Sequence, residues 1–313
     1  MGLPLDGQRP AARPPGAGGI LYVVATPIGN LGDVTLRALE VLREVPLIAA
    51  EDTRHTRRLL ERHAVTTRTT SYHAQSDAGR AAALLEHLRG GQDLALVTDA
   101  GTPVVSDPGG ELVAAWAAEG GRVVPLPGAS AVLAAVAASG VAGPRWAFEG
   151  FLPRSGRERA ERLARIAADD RGTVVYEAPG RVAATLRDLA AICGVDRPGA
   201  VCRELTKVHE TIVRGTLDGL AAGAGPDGGI PARGEFVLVV GSWPGGAPVS
   251  EADATAALAA AKAEVEALVE AGAARGDAAR RVAAATGLPR RRLYGPDAPR
   301  QDGPVTAPRS PIR

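Results

Sequence analysis

Short apolar runs recurring between longer amphipathic stretches constrain this chain more than any other feature it has. From Ile20 onward, runs of about five apolar residues alternate with helical stretches of roughly 10 to 15, the pattern of βα units around a mostly parallel sheet. Strands are expected at 21–25, 47–50, 94–98 and 123–126. Between the first two, DVTLRALEVLREV sets Val34, Ala38, Val41, Leu42 and Val45 on one helical face, with Asp33 able to cap the start. A helix of that kind packs on a sheet, so the fold class is α/β.

At 313 residues the chain exceeds what one core usually holds, and two domains are expected. The stretch SGVAGPRW, 139–146, is punctuated by Gly and Pro and precedes a new series with strands at 173–176, 200–204 and 235–240. A second break, SWPGGAPVS at 242–250, sets off an Ala-rich helical tail that ends as two short helices around Thr286-Gly287-Leu288-Pro289. The expected division is a disordered tail at 1–18, an N-terminal α/β domain at 19–142, a C-terminal α/β domain at 143–243 and a basic helical extension at 244–313 with a disordered end.

Composition narrows the function classes. Thirty-six basic against 35 acidic side chains neither demand nor exclude a polyanionic partner, and local charge must decide. Aromatics make up only 3% of the chain, so its interior is aliphatic. No segment reaches the roughly 18 to 20 apolar residues of a membrane helix, and the opening stretch carries no signal-peptide core. Cys193 and Cys202 form no metal-ligand spacing and read as small core residues of a cytoplasmic protein. The histidines show no H-E-x-x-H or comparable spacing, so no metal site is expected, and neither a Walker loop nor a G-x-S-x-G elbow occurs.

Four strand ends share one grammar. LALVTDAGTPVVSDPG, 94–109, runs from a buried strand onto Asp99 and a loop stiffened by Pro103 and Pro108, with Gly101 open to close backbone approach. ATPIGNLGD, 25–33, has two glycines but is not G-x-G-x-x-G. PLPGAS, 125–130, puts Ser130 ahead of a helix, where free amides favour a polar or anionic group, and AAEDTRHTRR, 49–58, leaves its strand on Glu51 and Asp52. Each alone reads equally as a turn or helix cap. Together they argue for a cleft at the carboxyl ends of a parallel sheet. In the second half, FEGFLPR, YEAPGR and CRELTKVHETIVRG gather charged residues at strand ends, as substrate clamps or bases, or as solvated ion pairs. Residues 273–294 hold six arginines and one acid, Asp277, a phosphate footprint or a solvated helical cap.

Taken in order, ATPIGNLGDVTLRA, IAAEDTRHTRRLL, DAGTPVVSDPG, VVPLPGAS, FEGFLPR, YEAPGR, RELTKVHETIVRG and GEFVLVV resemble the tetrapyrrole methylase superfamily, most closely its branch of small-subunit ribosomal RNA cytidine 2′-O-methyltransferases. The resemblance spans about 19–241 and continues into the tail. It implies two α/β domains with S-adenosyl-L-methionine in the cleft between them, a cytoplasmic homodimer, and 2′-O-methylation of a cytidine in the decoding region of 16S rRNA within the small subunit. Carried over onto this chain, the cofactor role falls to Ile28, Asp99, Thr102, Ser130, Ala131, Phe151 and Ala178. Glu204, Lys207 and Glu210 become the candidate base or stabilising cation for the hydroxyl. Arg54, His55, Arg203, Arg290, Arg291 and Arg292 become candidates to grip RNA phosphates. Where relatives read SYHEHNE this chain reads SYHAQSD, 71–77, and no role is carried to that loop. Two other classes stay open: a corrin or porphyrin methyltransferase, and a non-catalytic nucleic-acid-binding module built on the tail.

Overall fold

The computed structural model describes residues 18–76, 78–225, 227–243, 251–286 and 290–293. By contact the chain divides into two units, one up to Ser242 and one from Trp243 onward. The first unit holds two five-stranded sheets.

The first sheet runs in the order β3 (Thr69–Ser71), β2 (Leu47–Ala50), β4 (Leu94–Val97), β1 (Ile20–Val24), β5 (Arg122–Leu126), parallel throughout. Strands covered on both faces read as continuous apolar runs, and β1, β2 and β4 are buried almost to the last residue. Helix α1 (Leu36–Glu44) turns Ala38, Leu39 and Leu42 into the core. Its cap is Thr35, whose hydroxyl accepts from the Ala38 amide at 3.2 Å. Asp33 lies instead in a 3₁₀ turn (Leu31–Asp33), two residues before the capping position. Helices α2 (Thr53–Arg62), α3 (Ala78–Arg89) and α4 (Gly110–Ala118) complete the βα units, and α5 (Ala131–Ser139) follows β5.

The second sheet runs β6 (Trp146–Phe151), β7 (Gly172–Glu177), β10 (Phe236–Val240), β8 (Pro198–Arg203), β9 (Thr211–Thr216). It departs from the parallel expectation, because only β6 and β7 pair in parallel and the remaining ladders are antiparallel. Helices α6 (Gly156–Ala168), α7 (Val182–Cys193) and α8 (Leu217–Gly223) cover one face, and α5 packs on β8 and β10. One cluster therefore joins Ile28, Val132 and Ala135 to Val174, Ala200, Cys202 and Val237 across the 139–146 link. Cys202 is fully buried in it, while Cys193 is half-buried.

The unit beyond Trp243 contains α9 (Glu251–Glu270), α10 (Arg275–Thr286) and a 3₁₀ turn (Arg290–Leu293) around Leu258, Ala261, Val265, Ala278, Val282 and Leu293. All but residue 18 of the tail expected at 1–18, the turn residues 287–289 and the end of the extension at 294–313 lie outside the described residues.

Candidate functional site

The loops leaving β1, β4 and β5 are tied to one another. Thr26 and Gly101 form an isolated antiparallel bridge, with Thr26 N donating to Gly101 O at 2.8 Å and Gly101 N to Thr26 O at 3.0 Å. Gly101 takes φ +84°, a conformation that costs glycine little. The Thr102 hydroxyl donates to Ala129 O at 3.3 Å, and the Ser130 hydroxyl caps α5 by accepting from Leu133 N at 3.4 Å. Val104 and Ser106, neither a glycine, also hold positive φ values of +76° and +65°, so the β4 loop stores backbone strain where the strand ends converge.

Between these loops and the ends of β6, β7, β8 and β10 lies a first cavity of about 360 Å³. Ile28, Thr102, Ser130, Ala131, Phe151 and Ala178, spread across both halves of the sequence, all line it. Asp107, Tyr176, Leu205, Phe236 and Val237 line it too and carry no expected role from the sequence. The Tyr176 ring meets Phe148 edge-on at 4.9 Å and Phe151 at 5.5 Å, making an aromatic wall. Burial pushes the Tyr176 hydroxyl up to about 12 and the Asp107 carboxyl up to about 6, with Glu51 and Asp99 adding to the second shift by repulsion. The signal for Asp107 was present in the D-P-G that closes the β4 loop, but nothing local distinguishes it from a helix cap.

A second cavity of about 480 Å³ adjoins the first and shares Ile28, Ala100 and Glu235 with it. Asp99 lines this one and not the first, together with His55, Arg58 and Lys207, while Ile28 alone of the other expected cofactor residues lies in both linings. The Asp99 carboxylate accepts from Asp52 N at 3.1 Å, and its neighbour Glu51 accepts from the Thr98 hydroxyl at 2.6 Å. Burial raises Asp99 above the usual carboxylate range.

Lys207 reaches this cavity from a strained turn in which Glu204 and Thr206 hold φ +52° and +67°. Its ammonium donates to Glu204 Oε1 at 2.9 Å and lies 3.1 Å from Glu235 Oε2. Burial opposes the charge, but the hydrogen bonds to the two carboxylates outweigh it and hold Lys207 above its ordinary value. Glu204 is lowered, first by the Glu235 amide and then by Lys207. Glu210 accepts from Thr206 N at 2.7 Å. Through these bonds Glu204 and Glu210 hold the turn, and Lys207 stands as a cation between two carboxylates.

The expected phosphate contacts separate. Arg203 is a correction: it is buried, and its guanidinium donates to Arg233 O at 2.7 Å and His209 O at 3.1 Å, which leaves it unable to meet a phosphate. Arg54 is exposed but chelates Asp52, the cap of its own helix, at 2.7 Å. His55 lines the second cavity. In the other unit Arg290 and Arg292 are exposed, and Arg290 donates to Gly276 O at 3.2 Å; the side chain of Arg291 lies outside the described residues. Among the described residues no three His, Cys, Asp or Glu side chains gather as metal ligands, and no helix is long and apolar enough to cross a membrane.

Residues 20–221 match the family model of the tetrapyrrole (corrin/porphyrin) methylases. The ribosomal RNA small subunit methyltransferase I of Synechocystis sp. is 47% identical over 88% of this chain and 96% of its own length. The proteins of the same name from Xylella fastidiosa and Bacillus subtilis are 44% and 42% identical, each over 88% of this chain. Among solved structures, a cobalt precorrin-4 methyltransferase superposes with a TM-score of 0.54 at 19% identity, covering 71% of this chain and 94% of its own. A uroporphyrin-III C-methyltransferase from Thermus thermophilus, complexed with S-adenyl homocysteine, gives 0.51 at 21%, covering 71% and 97%. Both share this fold. On the family match and this extent of identity, the chain belongs to the tetrapyrrole (corrin/porphyrin) methylases, in the group of the ribosomal RNA small subunit methyltransferases I.

Proposed function

We propose that this methyltransferase takes the methyl group of S-adenosyl-L-methionine and places it on ribosomal RNA of the small subunit, at the ribose 2′-hydroxyl of a cytidine in the decoding region of 16S rRNA. The observation that carries the reading is the pair of adjoining cavities, one largely apolar and one charged, with Ile28, Ala100 and Glu235 in the lining of both. A donor in the first and an acceptor in the second would meet at that shared wall.

The first cavity fits the donor by chemistry. Its aromatic and aliphatic lining suits an adenine ring, the hydroxyls of Thr102, Ser106 and Ser130 suit the polar arms, and the Asp107 carboxylate suits a cation. When bound, the cofactor supplies an already activated methyl group, so alignment accounts for much of the rate. Ile28, Thr102, Ser130, Ala131, Phe151 and Ala178 would hold it. In the second cavity Asp99, with its raised carboxyl, would accept the hydroxyl proton, and the Lys207 ammonium would stabilise the charge that develops on the oxygen. The reading extends to a cytoplasmic homodimer that needs no metal ion, with Arg290, Arg291 and Arg292 contacting RNA phosphates.

Incubating the protein with labelled S-adenosyl-L-methionine and undermethylated small subunits tests this directly. Label is expected in 16S rRNA at one cytidine that resists alkaline cleavage, because a methylated 2′-oxygen cannot attack its own phosphodiester. Label on a base, or on a corrinoid and not on RNA, overturns the reading.

A further inference from the structure

Helix α2 carries four arginines, and its own acids neutralise only two of them. Arg54 is held by Asp52 at 2.7 Å and Arg57 by Glu61 at 2.8 Å. Arg58 and Arg62 are exposed and make no hydrogen bond or ion pair with any described residue. This division follows the geometry of the helix. At 100° per residue, positions 54, 57 and 61 cluster on one flank while 55, 58 and 62 share the other, beside the buried Leu59. His55 and Arg58 at the start of that second flank already line the charged cavity, and Arg62 continues it about 6 Å further along the helix axis.

An unneutralised guanidinium track that begins inside a cavity and runs onto open surface is a surface for an extended polyanion. Resting on the RNA reading above, we infer that the His55, Arg58 and Arg62 face of α2 is the track along which the phosphodiester backbone flanking the acceptor nucleotide lies as that nucleotide enters the second cavity. Arg54, which the sequence favours, and Arg203 are spent on internal partners; Arg58 and Arg62 are the cations on offer. The guanidinium fork suits phosphate and asks for no particular base, so this track sets position and register, and the cavity selects the reacting sugar.

The test uses the full chain with undermethylated small subunits. Arg58→Ala/Arg62→Ala is expected to raise KM for the subunit at least about tenfold and to flatten the plot of log affinity against log salt by roughly 1.5, the share of two single-strand phosphate contacts. The dissociation constant for S-adenosyl-L-methionine, measured by calorimetry, stays at the wild-type value and reports that the fold is intact. Arg62→Ala alone, furthest from the cavity, is expected to account for about half of the salt effect. Arg57→Ala, which removes an already neutralised cation, leaves both quantities unchanged. If the double variant methylates with wild-type KM and salt slope, the inference is overturned while the function stands. If the wild-type protein binds the cofactor but puts no label into RNA, the functional reading falls and the inference with it.

Discussion

Lys207 crosses Gly29 so closely that a β-carbon at position 29 would sit 2.4 Å from its Cγ and 2.9 Å from its Cε. The absent side chain on the β1 loop is thus the channel through which the second half of the protein extends its ammonium into the charged cavity. Gly29→Ala is expected to cost about 1 to 3 kcal/mol of stability by overpacking and to displace the ammonium, slowing methyl transfer. In a Lys207→Ala background both lysine contacts are gone and the Thr206 Oγ1 contact at 3.0 Å remains, so the stability cost of Gly29→Ala should fall without vanishing. Lys207→Ala itself should slow transfer on the order of 10²-fold with cofactor affinity retained. Denaturant midpoints and single-turnover rates for the four proteins of the cycle measure this coupling; additive effects would show that Gly29 and Lys207 act separately.

The arrangement also marks where sequence reading stops. The strand ends are legible because each apolar run and the turn after it are local, and that locality brings Ile28, Thr102, Ser130 and Ala131 to one cavity. Two edge strands, one in each sheet, are not: β3 is three half-buried residues and β9 is mostly exposed, so neither has an apolar run to announce it. β6 carries a bulge between Phe148 and Gly150, which breaks its alternation. Likewise a guanidinium spent on carbonyls looks the same in sequence as one facing solvent, and so Arg203 reads as a phosphate contact and Arg58 passes without notice. The Gly29 and Lys207 contact joins opposite ends of the α/β unit and has no local trace at all.

Asp99 separates the two cavities experimentally. Asp99→Asn keeps an oxygen able to accept from the Asp52 amide, so the start of α2 should survive while the capacity to take a proton is lost. Methyl transfer is expected to fall on the order of 10²-fold or more, with the dissociation constant for S-adenosyl-L-methionine changed by less than about threefold. A rise in that constant matching the loss of rate would return Asp99 to the cofactor residues.

Arg197 is the fully buried cation that holds the second sheet to its helices. Its guanidinium donates to Gly241 O at 2.9 Å, Arg171 O at 3.0 Å, Asp169 O at 3.3 Å and Ile166 O at 3.4 Å, joining the end of α6, the start of β7 and the end of β10. Arg197→Met fills the space but leaves those carbonyls without a donor. A loss on the order of 3 kcal/mol is expected, read from the urea midpoint at constant m. Arg197→Lys, with a single ammonium, should recover only part of it, since one point charge cannot span four carbonyls.

Asp107 gives the first cavity a pH dependence of defined sign. Burial lifts its carboxyl from 3.8 to about 6, so between those values the folded chain holds a proton that the unfolded chain has released, and its contribution to stability falls as pH rises through that window. Asp107→Asn should remove this slope and be more stable than the wild type above about pH 6. Cofactor binding should run the other way. The sulfonium is a cation, and it gains from Asp107 only when the carboxyl is ionised; affinity for S-adenosyl-L-methionine should therefore weaken as pH drops through about 6, while affinity for the uncharged thioether S-adenosylhomocysteine changes much less. Calorimetric titration of both ligands from pH 5 to 8, on wild type and Asp107→Asn, measures the difference. Parallel pH profiles for the two ligands would show that Asp107 does not face the sulfonium.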